Sequence, residues 1–171
     1  LRSYGLTNYS LNFDEYTQTV ISASADSQKR LMFEAAYASQ PVLDYLFSSL
    51  SIKLFGATAF AARLFPFIWG VAAMLLFSVF VLVLTKNRLA TFFSALLIAC
   101  HPQLILYSQI ARPYSLSVFL LLLFLLNIFW VLHKRYTQQS RVSLFIATSL
   151  YLLSIGFQPV CTLITLIGFL L

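Results

Sequence analysis

Four long apolar stretches without Asp, Glu, Lys or Arg dominate the second part of the chain, at residues 64–85, 89–111, 113–133 and 142–171. A helix needs about 20 apolar residues to cross the roughly 30 Å hydrocarbon layer of a membrane. The first and third stretches therefore fit one spanning helix each. In the second, His101-Pro102 predicts a break or kink, because proline removes a backbone donor and clashes with the preceding turn. The fourth is too long for one untilted span, and the turn signal from Gly156 to Pro159 divides it.

The first 63 residues are more polar and contain every acid of the chain, Asp14, Glu15, Asp26, Glu34 and Asp44. We expect helices at residues 13 to about 25, 28–38 and 41–55. In the last, proline stands early and Gly56 follows the end. Its apolar stripe of Leu43, Leu46, Phe47, Leu50 and Leu54 suits a helix on the membrane surface or against the bundle.

These elements predict an all-α fold, a polytopic transmembrane helical bundle with outward-facing juxtamembrane helices. Residues 1–63 form the outward-facing segment, and residues 64–171 form a bundle of about four to five spans. Because the chain begins at Leu1 and ends inside an apolar run, we expect it to be a piece of a longer protein.

The cations between the spans predict the orientation of the bundle. Lys86 and Arg88 fill one gap, while Lys134, Arg135 and Arg141 fill the next but one, and neither gap contains an acid. Cytoplasmic loops carry an excess of Lys and Arg. Two spans separate the two gaps, so both lie on one side, as the rule requires. The first 63 residues and the segment from Tyr107 to Tyr114 then face outward.

Composition supports a membrane protein. The chain is 60% hydrophobic and 9% charged, whereas soluble domains carry about 25% charged residues. The net charge of +6 does not indicate nucleic acid, because the cations do not cluster with aromatics on a polar face. Cys100 and Cys161 lie in apolar runs and are interpreted as small hydrophobes. The sequence has no CxxC or His/Cys spacing that predicts a metal site.

Two charged motifs are candidates for chemistry. Asp14 and Glu15 differ by about 100° around a helix, so one would face a site while the other orients it or bonds the backbone. On spacing alone, acids that complement a helix dipole are the preferred interpretation. Arg112 fits an anion site or a side chain that reaches lipid headgroups equally well. For Arg63 we expect headgroup contact, and for His101 a hydrogen bond near the helix break.

Three motifs occur in a fixed order, SLNFDEYTQTVISA at residues 10–23, QPVLDYLFSSLSIKLFGATAFAARLFPFIWGV at 40–71 and HPQLILYSQIARPYSL at 101–116. Together they resemble the polyprenyl-phosphate-sugar-dependent glycosyltransferases of the GT-C fold. The likeness is greatest to the protein O-mannosyltransferase group, which includes the bacterial aminoarabinose transferases for lipid A. It covers roughly Ser10 to Leu132.

The resemblance implies an enzyme that transfers a sugar, with inversion, from a polyprenyl-phosphate donor to a glycan, lipid or protein acceptor. The site would face the periplasm or exterior of a bacterial inner membrane. By the same resemblance, Asp14 is the leading catalytic carboxylate and Glu15 its catalytic neighbour. Arg112 would bind the donor phosphate. The remaining substrate-binding residues would be Gln40, Tyr107, Gln109 and Tyr114. We predict no metal ligands, leave the need for a divalent metal open, and expect no nucleic-acid partner.

Several positions depart from the family pattern, namely Val42 for a second proline, Asp44 for a usual tyrosine, His101 for serine and Ile110 where many relatives have glutamate. These changes affect the expected acceptor contacts. One alternative is a transporter or flippase for a lipid-linked sugar, although such proteins place polar residues near the bilayer midplane. Another is a non-catalytic membrane subunit.

Overall fold

The computed structural model describes residues 10–24 and 42–133, which are helical apart from short connections. The helices in this part of the chain are α1 (Phe13–Ser24), α2 (Val42–Phe55), α3 (Ala59–Thr85), α4 (Arg88–Cys100), α5 (Pro102–Tyr107) and α6 (Tyr114–His133). The helix expected at residues 28–38, the span expected at 142–171, the cations from Lys134 to Arg141, and Gln40 lie outside the described residues.

Helix α1 begins where the sequence predicts, and the acidic pair lies in its first turn. The backbone N–H of Asn12 donates to Oε2 of Glu15 at 3.0 Å. The carbonyl of Asn12 accepts the first helical bond, from Tyr16 N–H at 2.8 Å. A carboxylate that reaches back to the N–H before its own helix is half of a capping box. Glu15 therefore helps to define where α1 starts.

Helix α3 contains 27 residues and starts before the apolar run that predicted it. Thr58 begins the helix, because its hydroxyl oxygen accepts the N–H of Ala61 at 3.1 Å. The helix ends at Lys86, whose backbone is left-handed with φ of 53°. In the described residues, α3 is the one helix whose length and composition suffice to cross a membrane.

The predicted break at His101-Pro102 is confirmed, and it divides the second apolar stretch into two helices. Helix α4 has 13 residues, and α5 has 6 residues with Pro102 at its start. Helix α4 and residues 114–130 of α6 are apolar but shorter than a full span. Ser108 to Pro113 then form an irregular connection to α6.

An apolar cluster joins α2, α3 and α6. Leu116 and Leu120 of α6 are buried. The Trp69 ring of α3 lies between Phe47 of α2, at a centroid distance of 5.1 Å, and Phe119 of α6, at 5.2 Å. Aromatic groups of this size bury large apolar areas. The cluster fixes α2 against the bundle near the Arg63 end of α3.

The buried side of α2 is more polar than the predicted stripe. Leu50 and Leu54 of that stripe are exposed, while Asp44, Ser48 and Ser51 are buried. The reason is that α2 also packs against α1, whose inward side contains Gln18 and Ser22. We call the buried polar side chains between these two helices the polar seam, with members Gln18, Ser22, Asp44, Ser48 and Ser51.

Helices α3 and α4 are joined by Lys86 and Asn87 and run antiparallel. Accordingly, Met74 of α3 lies near Ile98 of α4, where both line one small cavity. At 1.5 Å per residue, Arg63 and Lys86 are about 34 Å apart along α3. Glu15 of α1 contacts Arg63. The candidate site and the Lys86–Arg88 gap are thus at opposite ends of the bundle.

Candidate functional site

An open cleft of about 410 Å³ lies at the Arg63 end of the bundle. Its walls come from the start of α1 and from the connection between α5 and α6, with lining residues Asn12, Phe13, Asp14, Glu15, Ile110, Arg112 and Tyr114. The chain therefore brings together four of the predicted site residues from two segments that are distant in the sequence.

Glu15 is the most connected side chain of the site. Its Oε1 accepts Nε–H of Arg63 at 3.0 Å and the backbone N–H of Ala111 at 2.7 Å. Its Oε2 accepts from Nη2 of Arg63 at 2.9 Å and from Asn12 N–H at 3.0 Å. The side chain is 1% exposed. We call this group of bonds the Glu15 clamp, which ties α1, α3 and the α5–α6 connection together.

The clamp also sets the charge of Glu15. Burial raises the pKa of this carboxyl, but the Arg63 guanidinium and the N–H groups of Ala111 and Asn12 outweigh burial and lower the pKa below its ordinary value. Glu15 is therefore ionised at neutral pH with its oxygens engaged. Such a group can position its neighbours, but it is poorly suited to accept a proton during a reaction.

The expected headgroup contact of Arg63 is wrong. The Arg63 side chain is 5% exposed and pairs with Glu15 through two nitrogens. Its Nη2 also donates to the carbonyl of Ser10 at 3.2 Å. Because α3 begins before the apolar run, Arg63 lies inside the helix and faces α1 instead of lipid. A buried cation needs a buried anion, and that rule was the signal that could have linked Arg63 to the acidic pair.

Asp14 and Arg112 form the exposed counterpart of the clamp. Nη2 of Arg112 lies 3.1 Å from Oδ2 of Asp14, although 98 residues separate them in the chain. The Asp14 side chain is 65% exposed, whereas that of Arg112 is 17% exposed. Arg112 follows Ala111, whose N–H the clamp holds. Of the two adjacent carboxylates, Glu15 thus faces inward and bonds the backbone, and Asp14 opens into the cleft.

The two tyrosines of the site have different positions. Tyr114 lines the cleft. The Tyr107 ring packs on Tyr114 at a centroid distance of 4.8 Å, and its hydroxyl oxygen accepts Nε2–H of Gln103 at 2.7 Å. Tyr107 lines the small cavity beneath instead of the cleft. It can therefore orient Tyr114, whereas direct contact with a ligand falls to Tyr114.

The other candidates contribute less to the cleft. Gln109 is half-buried in the α5–α6 connection and is not part of the cleft lining. His101 is exposed at the helix break, and its side chain makes no capping hydrogen bond to α5. Within residues 10–24 and 42–133, no group of three His, Cys, Asp or Glu side chains converges to hold a metal ion.

Asp44 is the functional candidate that the sequence interpretation missed. It is 1% exposed in the polar seam. Nε2 of Gln18 donates to Oδ2 of Asp44 and also to Oγ of Ser48, the latter at 3.0 Å. Burial raises the pKa of Asp44 from its ordinary 3.8 to about 6, although the Gln18 bond and the Arg112 charge both lower it. In the sequence, Asp44 stands where the family pattern has a tyrosine, and this departure could have identified it as a candidate.

Replacing Arg63 with Met should lower the free energy of unfolding by about 3–5 kcal/mol, because it leaves the buried Glu15 charge unpaired. The double variant Glu15→Gln/Arg63→Met should recover part of that loss, since it buries no charge. Unfolding of detergent-solubilised protein measures both. Lys53→Met removes an exposed cation and is the matched control, with an expected change within about 0.5 kcal/mol. An Arg63→Met loss as small as the control would contradict the clamp.

Asp44→Asn should stabilise the protein at pH 8 but not at pH 4. The raised pKa means that the folded state prefers the neutral acid, so wild-type stability falls as the pH rises from 3.8 through about 6. A shift of about two pKa units corresponds to about 3 kcal/mol. Thermal unfolding of both proteins across this range measures the effect. A stability difference that is equal at pH 4 and pH 8 is the contrary result.

The comparisons with known proteins assign no family to this chain. No protein-family model matches the sequence, and neither the curated protein sequences nor the solved structures gave a significant match. The likeness to GT-C glycosyltransferases stays a prediction that depends on the three motifs. What the structure adds is a helical chain with one candidate membrane span and a cleft that holds Asp14, Glu15, Arg112 and Tyr114.

Proposed function

We propose that the chain is an integral-membrane glycosyltransferase of the GT-C type. It moves a sugar from a polyprenyl-phosphate donor to an acceptor hydroxyl at the outer face of the membrane, with inversion. The observation that carries the proposal is the Asp14–Arg112 pair in an open cleft at one end of apolar helices. A base for the acceptor and a cation for the donor phosphate are the two groups that this transfer needs.

Arg112 is the residue that binds the donor phosphate. During transfer, the bond between the anomeric carbon and a phosphate oxygen breaks, and its electron pair stays on the phosphate. The leaving group therefore gains negative charge as the reaction proceeds. A fixed guanidinium beside that oxygen stabilises the transition state more than the ground state. Arg112 suits this role because the clamp fixes the backbone at Ala111.

Asp14 is the general base. The acceptor hydroxyl gives its proton to the Asp14 carboxylate while its oxygen attacks the anomeric carbon on the face opposite the phosphate. One displacement of this kind inverts the anomeric configuration. Asp14 is two-thirds exposed and uses Oδ2 toward Arg112, so an acceptor can reach the carboxylate from the cleft. Glu15 supports the reaction by positioning, since its own oxygens are bonded in the clamp.

A lipid-linked donor requires a site at the membrane surface, and the dimensions of the helices agree with this. The distance of about 34 Å from Arg63 to Lys86 is close to the roughly 30 Å of bilayer hydrocarbon. Helices α4 and α5 in series add up to about 28 Å, so together they reach a similar height. Apolar side chains are exposed along α3 and α4, including Leu75, Phe93 and Leu97. We propose that α3, α4–α5 and α6 each cross the membrane.

A transporter for lipid-linked sugar is the rival function. Such proteins need polar groups near the bilayer midplane that face a pathway. In the described helices, two polar side chains within the proposed spans, Ser78 and Asn127, bond their own helix. The hydroxyl of Ser78 donates to the carbonyl of Met74 at 2.9 Å. The side-chain amide of Asn127 donates to the carbonyl of Leu123 at 2.8 Å. This pattern favours chemistry at the outer cleft over transport through the bundle.

Asp14→Asn should reduce sugar transfer by about 10²–10⁴-fold, because an amide cannot accept the acceptor proton. The assay follows transfer from radiolabelled polyprenyl-phosphate sugars in membranes that contain the protein. Lys53→Gln, which changes an exposed charge on α2, should retain wild-type turnover. Unchanged turnover in Asp14→Asn removes Asp14 from the mechanism. Donor translocation without any transfer product in the wild type would favour the transporter.

Labelling with a membrane-impermeant maleimide should place the two ends of the bundle on opposite sides. In a background without Cys100 and Cys161, Lys53→Cys should react in intact spheroplasts, from which the outer membrane and cell wall have been removed. Arg88→Cys should react only after permeabilisation, because acid-free cationic gaps face the cytoplasm. Reaction of both positions from the same side would contradict the proposed arrangement.

A further inference from the structure

The polar seam beneath the cleft contains a third carboxyl group, that of Asp44, which the proposed mechanism does not use. We propose that Asp44 is a positioning residue for Arg112. When an anion binds to Arg112, Asp44 takes up a proton, and this protonation tightens the binding of the anion. The inference rests on one part of the proposed function, the role of Arg112 as the phosphate-binding residue. It does not depend on sugar transfer itself.

Helix α1 connects Asp44 to the segment that carries Arg112. Gln18 bonds Asp44, and it lies three residues after Glu15 on the same side of α1. Glu15 in turn accepts the N–H of Ala111, the residue before Arg112. Asp44 is therefore about one helical turn from the carboxylate that fixes the floor of the cleft. The Arg112 charge reaches both Asp44 and its neighbour Tyr45, since it lowers the pKa of each.

The charges around Asp44 make Arg112 its decisive neighbour. From α1 the ionisable groups are Asp14, exposed in the cleft, Glu15, which Arg63 of α3 neutralises in the clamp, and the exposed Tyr16. From the α5–α6 connection comes Arg112. On α2, Tyr45 is neutral because burial raises its pKa, and Lys53 is exposed nine residues beyond Asp44. Arg112 thus interacts with two carboxylates, with Asp14 in direct contact and with Asp44 through space.

An anion on Arg112 changes the balance at Asp44. The bound negative charge cancels the field of the guanidinium, which had favoured the ionised form of the buried carboxyl, and adds repulsion of its own. The pKa of Asp44 then rises further above 6, and near neutral pH the carboxyl takes up a proton from water. Coupling between two binding equilibria is reciprocal. A neutral Asp44 must therefore strengthen anion binding by the same factor.

Gln18 allows the seam to accommodate both protonation states. With Asp44 ionised, Nε2 of Gln18 donates to it, and Oε1 of Gln18 is buried without a hydrogen-bond partner. A protonated Asp44 gains an O–H donor, and rotation of the Gln18 amide by 180° turns Oε1 toward it. Ser48 fits either orientation, because a hydroxyl both donates and accepts.

The test measures binding of decyl methyl phosphate, a lipid phosphodiester that carries one negative charge throughout pH 5–8. Isothermal titration calorimetry on the detergent-solubilised protein gives the Kd, and buffers with different ionisation enthalpies give the number of protons taken up. For the wild type we expect proton uptake near pH 7 and a Kd about tenfold weaker at pH 8 than at pH 5.5, which corresponds to a coupling of about one pKa unit.

Asp44→Asn should bind the phosphodiester with the tight, low-pH Kd at every pH and without proton uptake. Asparagine is neutral, and its amide can pair with a rotated Gln18, so this variant mimics protonated Asp44. Asp14→Asn is the matched control, because it removes the other carboxylate beside Arg112 but should keep the wild-type dependence on pH. Lys53→Gln should bind as the wild type does.

The outcomes separate this inference from the proposed function. Wild-type binding whose dependence on pH persists in Asp44→Asn, or disappears in Asp14→Asn, overturns the role of Asp44 alone. Absence of phosphodiester binding at any pH overturns both the role of Asp44 and Arg112 as the phosphate site. Coupled binding that Arg112→Gln abolishes supports the inference, whether or not a sugar is transferred.

Discussion

The buried ion pair between Glu15 and Arg63 is the interaction on which the described site depends. A carboxylate and a guanidinium that are out of contact with water are tolerated only when they pair with each other and their remaining donors and acceptors are hydrogen-bonded. Glu15 meets this condition by accepting from Arg63, from the N–H before its own helix and from the N–H of Ala111. The last of these bonds spans 96 residues of chain. It places the backbone beside Arg112 at the start of α1, so a local constraint on one charge creates a cleft between distant segments.

The three carboxylates near the cleft differ in role because their surroundings differ. Asp14 is exposed and pairs with Arg112 at the surface, where a ligand can compete for either partner. Glu15 is buried and fully bonded, so it stays charged and holds positions. Asp44 is buried with a neutral amide as its hydrogen-bond partner, so its charge is the most sensitive to a change in the nearby field. In the proposed function, proton acceptance, positioning and adjustment of anion affinity thus belong to separate residues of one small region.

Much of this arrangement is predictable from the sequence, and the exceptions have physical causes. Helix α1, the break at Pro102 and the opposition between Asp14 and Glu15 follow from capping, proline geometry and the helical angle. The burial of Arg63 and its pairing with Glu15 do not follow from the sequence pattern. The start of α3 depends on the Thr58 cap, which lies outside the apolar run used to delimit the span. The buried side of α2 was likewise not predictable from its leucines. It is set by Gln18 and Ser22 on another helix, and hydrophobic periodicity carries no information about such a pairing.

The account is tested most directly by an experimental structure of the protein in a lipid nanodisc with a polyprenyl phosphate bound. We predict that the phosphate lies in the cleft within hydrogen-bonding distance of the Arg112 guanidinium. In the same structure, Asp14 should face the open side of the cleft, and Glu15 should still join Arg63 to the backbone of Ala111. A phosphate bound away from Arg112, or an Arg112 side chain on the opposite membrane surface from Asp14, would contradict the account.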